Sequence, residues 1–194
     1  MEIIFATKNP GKLKEVKEIL KDYKIIGMEE AGITIDVIED GGTFEANALK
    51  KAVEIMEAAG KVVLSDDSGL EIDYLDKEPG VESANYLGRD MPYAERNAVI
   101  LDKLKSAGAG KRGARYIAVI AAAFPCGKTL TAKGIMEGYI GYEQRGENGF
   151  GYDPIFYPEG FSKSVAELDA EEKNAVSHRG KALKAIEEMI RGVL

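Results

Sequence analysis

The sequence predicts a sheet covered by helices, of the α/β or α+β class, and three observations carry that expectation. Residues 2–6, EIIFA, form an apolar run of strand length. The following segment, TKNPGKLKEVKEILKDY, places Leu13, Val16, Ile19 and Leu20 on one helical stripe, so a strand feeds a helix through a short polar loop. Along the rest of the chain, helical stripes and strand-like runs are mixed, which is the pattern of a sheet packed against helices.

Each element has its own local signal. Asn9 is a good N-cap and Pro10 suits the first helical position. KIIGM and ITIDVI read as further strands. Thr43 can cap a helix through FEANALKKAVEIMEAA, with Gly60 just past its end and Leu49, Val53 and Met56 as its stripe. A strand ending at Leu64 follows, and Asp66 and Asp67 stand side by side where it leaves the core. Residues 74–91 read as irregular, and residues 92–108 as a helix. ARYIAVIAAAF and KTLTAKGIMEGYI are long strands around a turn at Pro125–Gly127. A glycine-rich loop leads to GFGYDPIFYP, Asp169 and Glu172 form a capping box, and Leu183, Ile186, Ile190 and Val193 stripe a last helix over roughly 178–191. Without internal repeat or linker, residues 1–194 read as a single domain.

Composition bounds the function. A length of 194 residues suits one domain, or two lobes sharing a core, and a 45% hydrophobic content argues against wholesale disorder. The formal net charge of −7 argues against a general nucleic-acid binder, and any anion would need local cations or a metal ion. Cys126 is the only cysteine, which excludes an intramolecular disulfide and a Cys-rich zinc site. The N-terminus lacks the pattern of a signal peptide, and the longest apolar stretch, YIAVIAAAFP, is too short to span a bilayer. The expectation is a soluble, cytoplasmic protein with no membrane partner.

Two motif matches are set aside. GAGKRG (108–113) fits a dinucleotide-binding pattern literally, but a helix precedes it and a strand follows, the reverse of what that motif needs. CGKT (126–129) resembles the end of a P-loop, yet position 122 is Ala and the segment lies between two strands, so it reads as a hairpin turn.

Four constellations could carry chemistry. In TKNPGK (7–12), Thr7 and Asn9 offer hydrogen bonds, Gly11 allows close approach and Lys12 supplies charge at a helix N-terminus, where the dipole favours an anion. An ordinary helix start with a solvated lysine is the plain alternative. The acids Glu39, which DVIED places at the end of its strand, Asp66 and Asp67 suit Mg²⁺, which uses one or two carboxylates plus substrate phosphates; singly they would read as solvated acids. In NGFGYDPIF (148–156), Phe150 and Tyr152 sit among glycines beside Asp153, suited either to framing a flat ligand or to the core. In EKNAVSHRG (172–180), Lys173, Ser177, His178 and Arg179 make a group rich in donors around the start of the last helix.

In this order, TKNPGK, GGTFEANALKKA, SDDSGLEID, PGVESANY, GFGYDPIF and AEL…EKNAVSHRGKAL resemble the inosine triphosphate pyrophosphatase (Ham1-like) family over nearly the whole chain. The resemblance implies a homodimer whose protomer has an elongated mixed sheet, helices flanking it, and two lobes around a nucleotide cleft. It implies Mg²⁺-dependent hydrolysis of non-standard purine nucleoside triphosphates to the monophosphate and pyrophosphate. Carried residue by residue, it implies that Thr7, Lys8, Asn9, Pro10, Gly11 and Lys12 form the phosphate loop and that Glu39 and Asp67 are the metal-associated acids. Asp67 matches the proton acceptor. Ser68, Phe150, Gly151, Tyr152, Asp153, Lys173, Ser177, His178 and Arg179 match the substrate contacts. Three departures stand out: Lys8 stands where Gly is common, at a position the motif leaves variable, Asn85 occupies a position where Arg is common, and ARYIA replaces the more usual ARF-x-C strand. The rival readings are a related pyrophosphatase for another damaged or pyrimidine nucleotide, and a nucleotide-binding module without turnover.

Overall fold

The structure is a computed structural model that describes residues 1–193. The elements run β1 (Glu2–Ala6), α1 (Pro10–Ile19), β2 (Lys24–Gly27), α2 (Phe44–Ala59), β3 (Val63–Ile72), α3 (Tyr93–Lys103), β4 (Gly113–Ala123), β5 (Thr129–Ile140), β6 (Phe156–Pro158), α4 (Ala170–Val176) and α5 (His178–Arg191). The six-stranded sheet has the order β2-β1-β3-β4-β5-β6. Strand β1 is parallel to β2 and β3, whereas β5 and β6 are antiparallel, so the sheet is mixed, as expected. The chain forms two compact units, one of Met1–Asp67, Ala118–Gly134 and the residues from His178 on, the other of Ser68–Ile117 and Ile135–Ser177.

In the first unit β1 is buried on both faces, which explains its unbroken apolar run. Ile3 and Phe5 pack with Val16 and Leu20 of α1 and with Leu183, Ile186 and Ile190 of α5. Ile4 and Ala6 belong to a separate cluster with Ile26, Met28, Val63 and Ile55 of α2. The caps are those the sequence signals: Asn9 accepts from the backbone of Gly11 and Lys12, Thr43 accepts from Ala46, and Gly60 takes the left-handed conformation at φ 63°.

Three expectations about this unit need correction. ITIDVI is not a strand: residues 33–40 have no regular structure, and Ile38 is 72% exposed. Only Ile33 and Val37 of that segment pack partly against the core, so the alternation reflects two anchoring contacts rather than a ladder. On α2 the fully buried side is Phe44, Ala48, Ala52 and Ile55 rather than Leu49, Val53 and Met56, which are half-buried. Finally, β3 does not stop at Leu64 but continues through Asp66 and Asp67, which are 1% and 6% exposed.

In the second unit Leu70, Ile72, Ile100, Leu104, Tyr116, Met136, Ile140, Tyr152, Ile155 and Phe156 form the core. Helix α3 is shorter than expected and ends at Lys103. GAGKRG is a short 3₁₀ turn leading into β4, with no strand before it. Asp169 and Glu172 form the expected capping box, with bonds of 2.8 and 3.0 Å. The CGKT segment, in the first unit, is a tight turn in which Gly127 donates to the Phe124 carbonyl at 2.8 Å and takes φ 85°. Among the described residues no helix is long and apolar enough to cross a membrane.

Candidate active site

The loop from β1 to α1 is built by its own side chains. Thr7 Oγ1 accepts from the Asn9 amide at 3.1 Å, and Asn9 Oδ1 accepts from the amides of Gly11 and Lys12 at 2.9 and 3.3 Å. Pro10 opens the helix, where its missing N–H costs nothing. The cap thus uses two of the amides a phosphate would otherwise take, so Lys12 and the helix dipole are the main cationic features of this loop. Lys8 points away to Asp36 at 2.8 Å and is largely exposed.

Lys12 reaches Asp66, which also accepts from Arg179 Nε at 2.9 Å; Arg179 in turn donates to Glu15 of α1. Burial alone would push the Asp66 carboxyl up, but Arg179 and Lys12 overcome it and hold Asp66 well below the usual carboxylate range. Burial would likewise lower Arg179, and its two carboxylate partners reverse this and raise it.

Asp67 behaves in the opposite way. Burial dominates and raises its carboxyl to about 6, with Lys12 opposing and Glu39 reinforcing the rise. Its Oδ2 accepts from Asn47 Nδ2 of α2 at 3.0 Å. Two adjacent acids therefore differ in character: Asp66 is a permanently charged anchor for cations, while Asp67 can exchange a proton near neutrality.

Glu39 lies on the irregular segment 33–40, not at a strand end, and is paired with Lys51 of α2. Among the described residues no group of three His, Cys, Asp or Glu side chains forms a metal cluster. Glu39 and Asp67, each held by a side chain of α2, fit the lesser demand of Mg²⁺ for one or two carboxylates completed by water and phosphate oxygens.

In the second unit the loop 148–153 is organised around buried Asp153. Its Oδ2 accepts from the Phe150 amide and from Lys173 Nζ, both at 2.9 Å, and its Oδ1 accepts from the Tyr116 hydroxyl at 3.2 Å. The Lys173 ammonium also lies 4.6 Å from the centre of the Phe150 ring. Gly149, at φ 74°, has no room for a side chain, since a Cβ there would stand 2.2 Å from Asp153 Oδ2. Phe150 is half-buried, but Tyr152 is a core residue: it is 3% exposed, donates to the Ser83 carbonyl at 2.7 Å and packs edge-on to Tyr93. Gly151 is held through its carbonyl by Asn97 at 3.2 Å. Ser68 is half-buried on β3.

The donors at 173–179 serve different partners. Lys173 belongs to α4 and serves Asp153, Ser177 caps that helix, and Arg179 serves Asp66 and Glu15. His178 opens α5 and is buried. Its backbone lies against β5 only because residue 134 is glycine: a Cβ at Gly134 would be 2.0 Å from the His178 carbonyl oxygen. Sequence reasoning missed Glu15, Asn47, Lys51 and Gly134. The spacing of Asn47 and Lys51, one helical turn apart, was a signal for the two α2 residues, whereas nothing local marked Glu15 or Gly134.

Fold and site together define a mixed α/β protein with a cationic strand-to-helix loop beside a buried carboxylate that can exchange a proton. The chain belongs to the Ham1 family, whose profile matches residues 3–189. It is 46% identical over 189 residues to the dITP/XTP pyrophosphatase of Exiguobacterium sibiricum, covering 96% of each chain. The dITP/XTP pyrophosphatase of Clostridium perfringens is 43% identical over 201 residues, covering 100% of this chain and 98% of the relative. Among solved structures, the Staphylococcus aureus Ham1 protein superposes with a TM-score of 0.88 at 39% identity, covering 100% of both chains.

Proposed function

We propose that this chain is a Mg²⁺-dependent pyrophosphatase that converts dITP, XTP and ITP to the monophosphate and pyrophosphate and so removes them from the nucleotide pool. The observation that carries the reading is Asp67, a buried carboxylate beside Asp66 that Asn47 holds at 3.0 Å. The names of the relatives support the substrate class.

In this reading Asp67 accepts a proton from the water that attacks the α-phosphorus. The new P–O bond forms as the bond to the bridging oxygen breaks, and pyrophosphate leaves. Lys12, with the N-terminus of α1, attracts the triphosphate despite the formal net charge of −7. Glu39 and Asp67 would hold Mg²⁺, which when bound supplies charge neutralisation and lowers the pKa of water. Base recognition is assigned to the Phe150 loop with Lys173 and, separately, to the His178 donor, because hypoxanthine and xanthine present an acceptor oxygen at C6; Arg179, committed to Asp66 and Glu15, is structural. Asp153 and Tyr152 support that loop from within the core. Thr7, Asn9 and Gly11 complete the phosphate loop, Pro10 sets its helical turn, and Ser68 is a further substrate contact; Lys8, turned to Asp36, is left out of the phosphate contacts. We further propose a cytoplasmic homodimer, which light scattering on the purified protein would test.

A panel of nucleoside triphosphates assayed for pyrophosphate and orthophosphate tests the reaction. Pyrophosphate from dITP, XTP and ITP with Mg²⁺, and none with EDTA, is expected. Orthophosphate as the product, or no turnover on any triphosphate, would overturn the reading. Asp67→Asn should lower kcat by ~10²–10⁴-fold with substrate binding retained, the usual cost of losing a general base; near-normal kcat would remove Asp67 from that role.

A further inference from the structure

We infer that Asn47 is a positioning residue that locks the loop carrying Glu39 to the carboxylate of Asp67, so that helix α2 assembles the two acids before substrate arrives. The catalytic half of this inference rests on the function proposed above; the structural half does not.

The argument comes from one amide with two partners. Asn47 is 4% exposed, and its Nδ2 donates to Asp67 Oδ2 at 3.0 Å. Its Oδ1 accepts from the Gly41 amide at 2.8 Å, two residues past Glu39. The two bonds settle the orientation of the amide, since Gly41 can only donate there. Gly41 is itself required: a Cβ at that position would stand 2.7 Å from Ala46 Cβ and 2.9 Å from Asn47 Oδ1. One turn further along the same helical face, Lys51 pairs with Glu39. The face of α2 bearing Asn47 and Lys51 therefore holds Asp67 and Glu39 through separate contacts. Residues 33–40 have no regular structure to place Glu39 by themselves, so the side chains of α2 supply the order that a strand would have supplied.

A buried asparagine could also serve as a loop anchor alone, and two substitutions separate the possibilities. Asn47→Asp keeps an acceptor for the Gly41 amide but replaces the donor to Asp67 by an acceptor. Asn47→Leu keeps the approximate size and removes both bonds. Amide hydrogen exchange at residues 39–42 in the metal-free protein, thermal denaturation, and kcat and KM for dITP are measured for each. We expect Asn47→Asp to retain exchange protection at Gly41 while kcat falls by ~10²-fold, the scale of a misplaced reacting group, with KM changing less than about threefold. Asn47→Leu should lose both protection and kcat.

Wild-type kcat in folded Asn47→Asp would overturn the positioning role, and unchanged Gly41 protection in Asn47→Leu would overturn the loop lock. If Asn47→Leu fails to fold, unprotected Gly41 in Asn47→Asp overturns the lock instead. If the wild-type protein releases no pyrophosphate, the proposed function fails, while the exchange measurement still decides the lock.

Discussion

Arg179 Nε donates to Asp66 Oδ2 at 2.9 Å across 113 residues of sequence, and both side chains are almost fully buried. The guanidinium also donates to Glu15, and Asp66 also receives Lys12, so two acids and two bases form a chain of net zero charge. Low exposure makes such a network costly to break on one side.

Arg179→Ala should therefore destabilise the fold by about 3–5 kcal/mol, because Glu15 and Asp66 are left buried without their main counter-charge. Urea denaturation monitored by circular dichroism checks this. A loss below about 1 kcal/mol, the range of an exposed pair, would show that the network is solvated.

Asp67 should titrate near pH 6 in the metal-free protein, observable by carboxyl NMR. The folded state then holds its proton more tightly than the unfolded chain, so the contribution of Asp67 to stability falls as pH rises from about 4 to 6. Asp66 has the opposite sign: its depressed pKa contributes stability above the unfolded value of about 4, lost as the solution becomes more acidic. Lys12→Met removes a cation that lowers Asp67, so its titration should move upward. A midpoint near 4 in the wild type would contradict the dominance of burial.

Lys12→Ala should weaken every nucleoside triphosphate alike, since the lysine addresses phosphates rather than the base. Steady-state kinetics on ITP and GTP measure this, with KM rising in parallel. A changed ratio between the two substrates would place Lys12 at the base.

His178→Ala should lower turnover of ITP far more than the residual turnover of ATP. A donor matches the C6 oxygen of hypoxanthine but faces an amino group on adenine, and discrimination built on such pairing reaches ~10⁴-fold. The ratio of kcat/KM for the two nucleotides is the readout, and equal losses would assign His178 to phosphate or to structure.

Features that depend on a few adjacent residues were legible in the sequence. Asn9 with Pro10, Thr43 with Gly60, and Asp169 with Glu172 each satisfy helix-end backbone groups within a few residues, so chemistry and spacing are enough to place them. The burial of β1 on both faces followed from its unbroken apolar run. The motifs of the site could be identified, but not the way their charges are balanced. Local propensity ends β3 before two aspartates, and only Lys12, 54 residues away, and Arg179, 113 residues away, let the strand carry Asp66 through the interior. The same limit applies to ITIDVI, where alternation alone cannot show that no strand pairs with it, and to α2, where two adjacent apolar stripes compete and only tertiary packing decides which is buried. Gly134 carries no local signal, yet the approach of α5 depends on its missing Cβ. Caps and periodicity are short-range and were determined by sequence; ion pairing, strand continuation and close backbone approach are set by groups distant along the chain, and only the tertiary structure decided them.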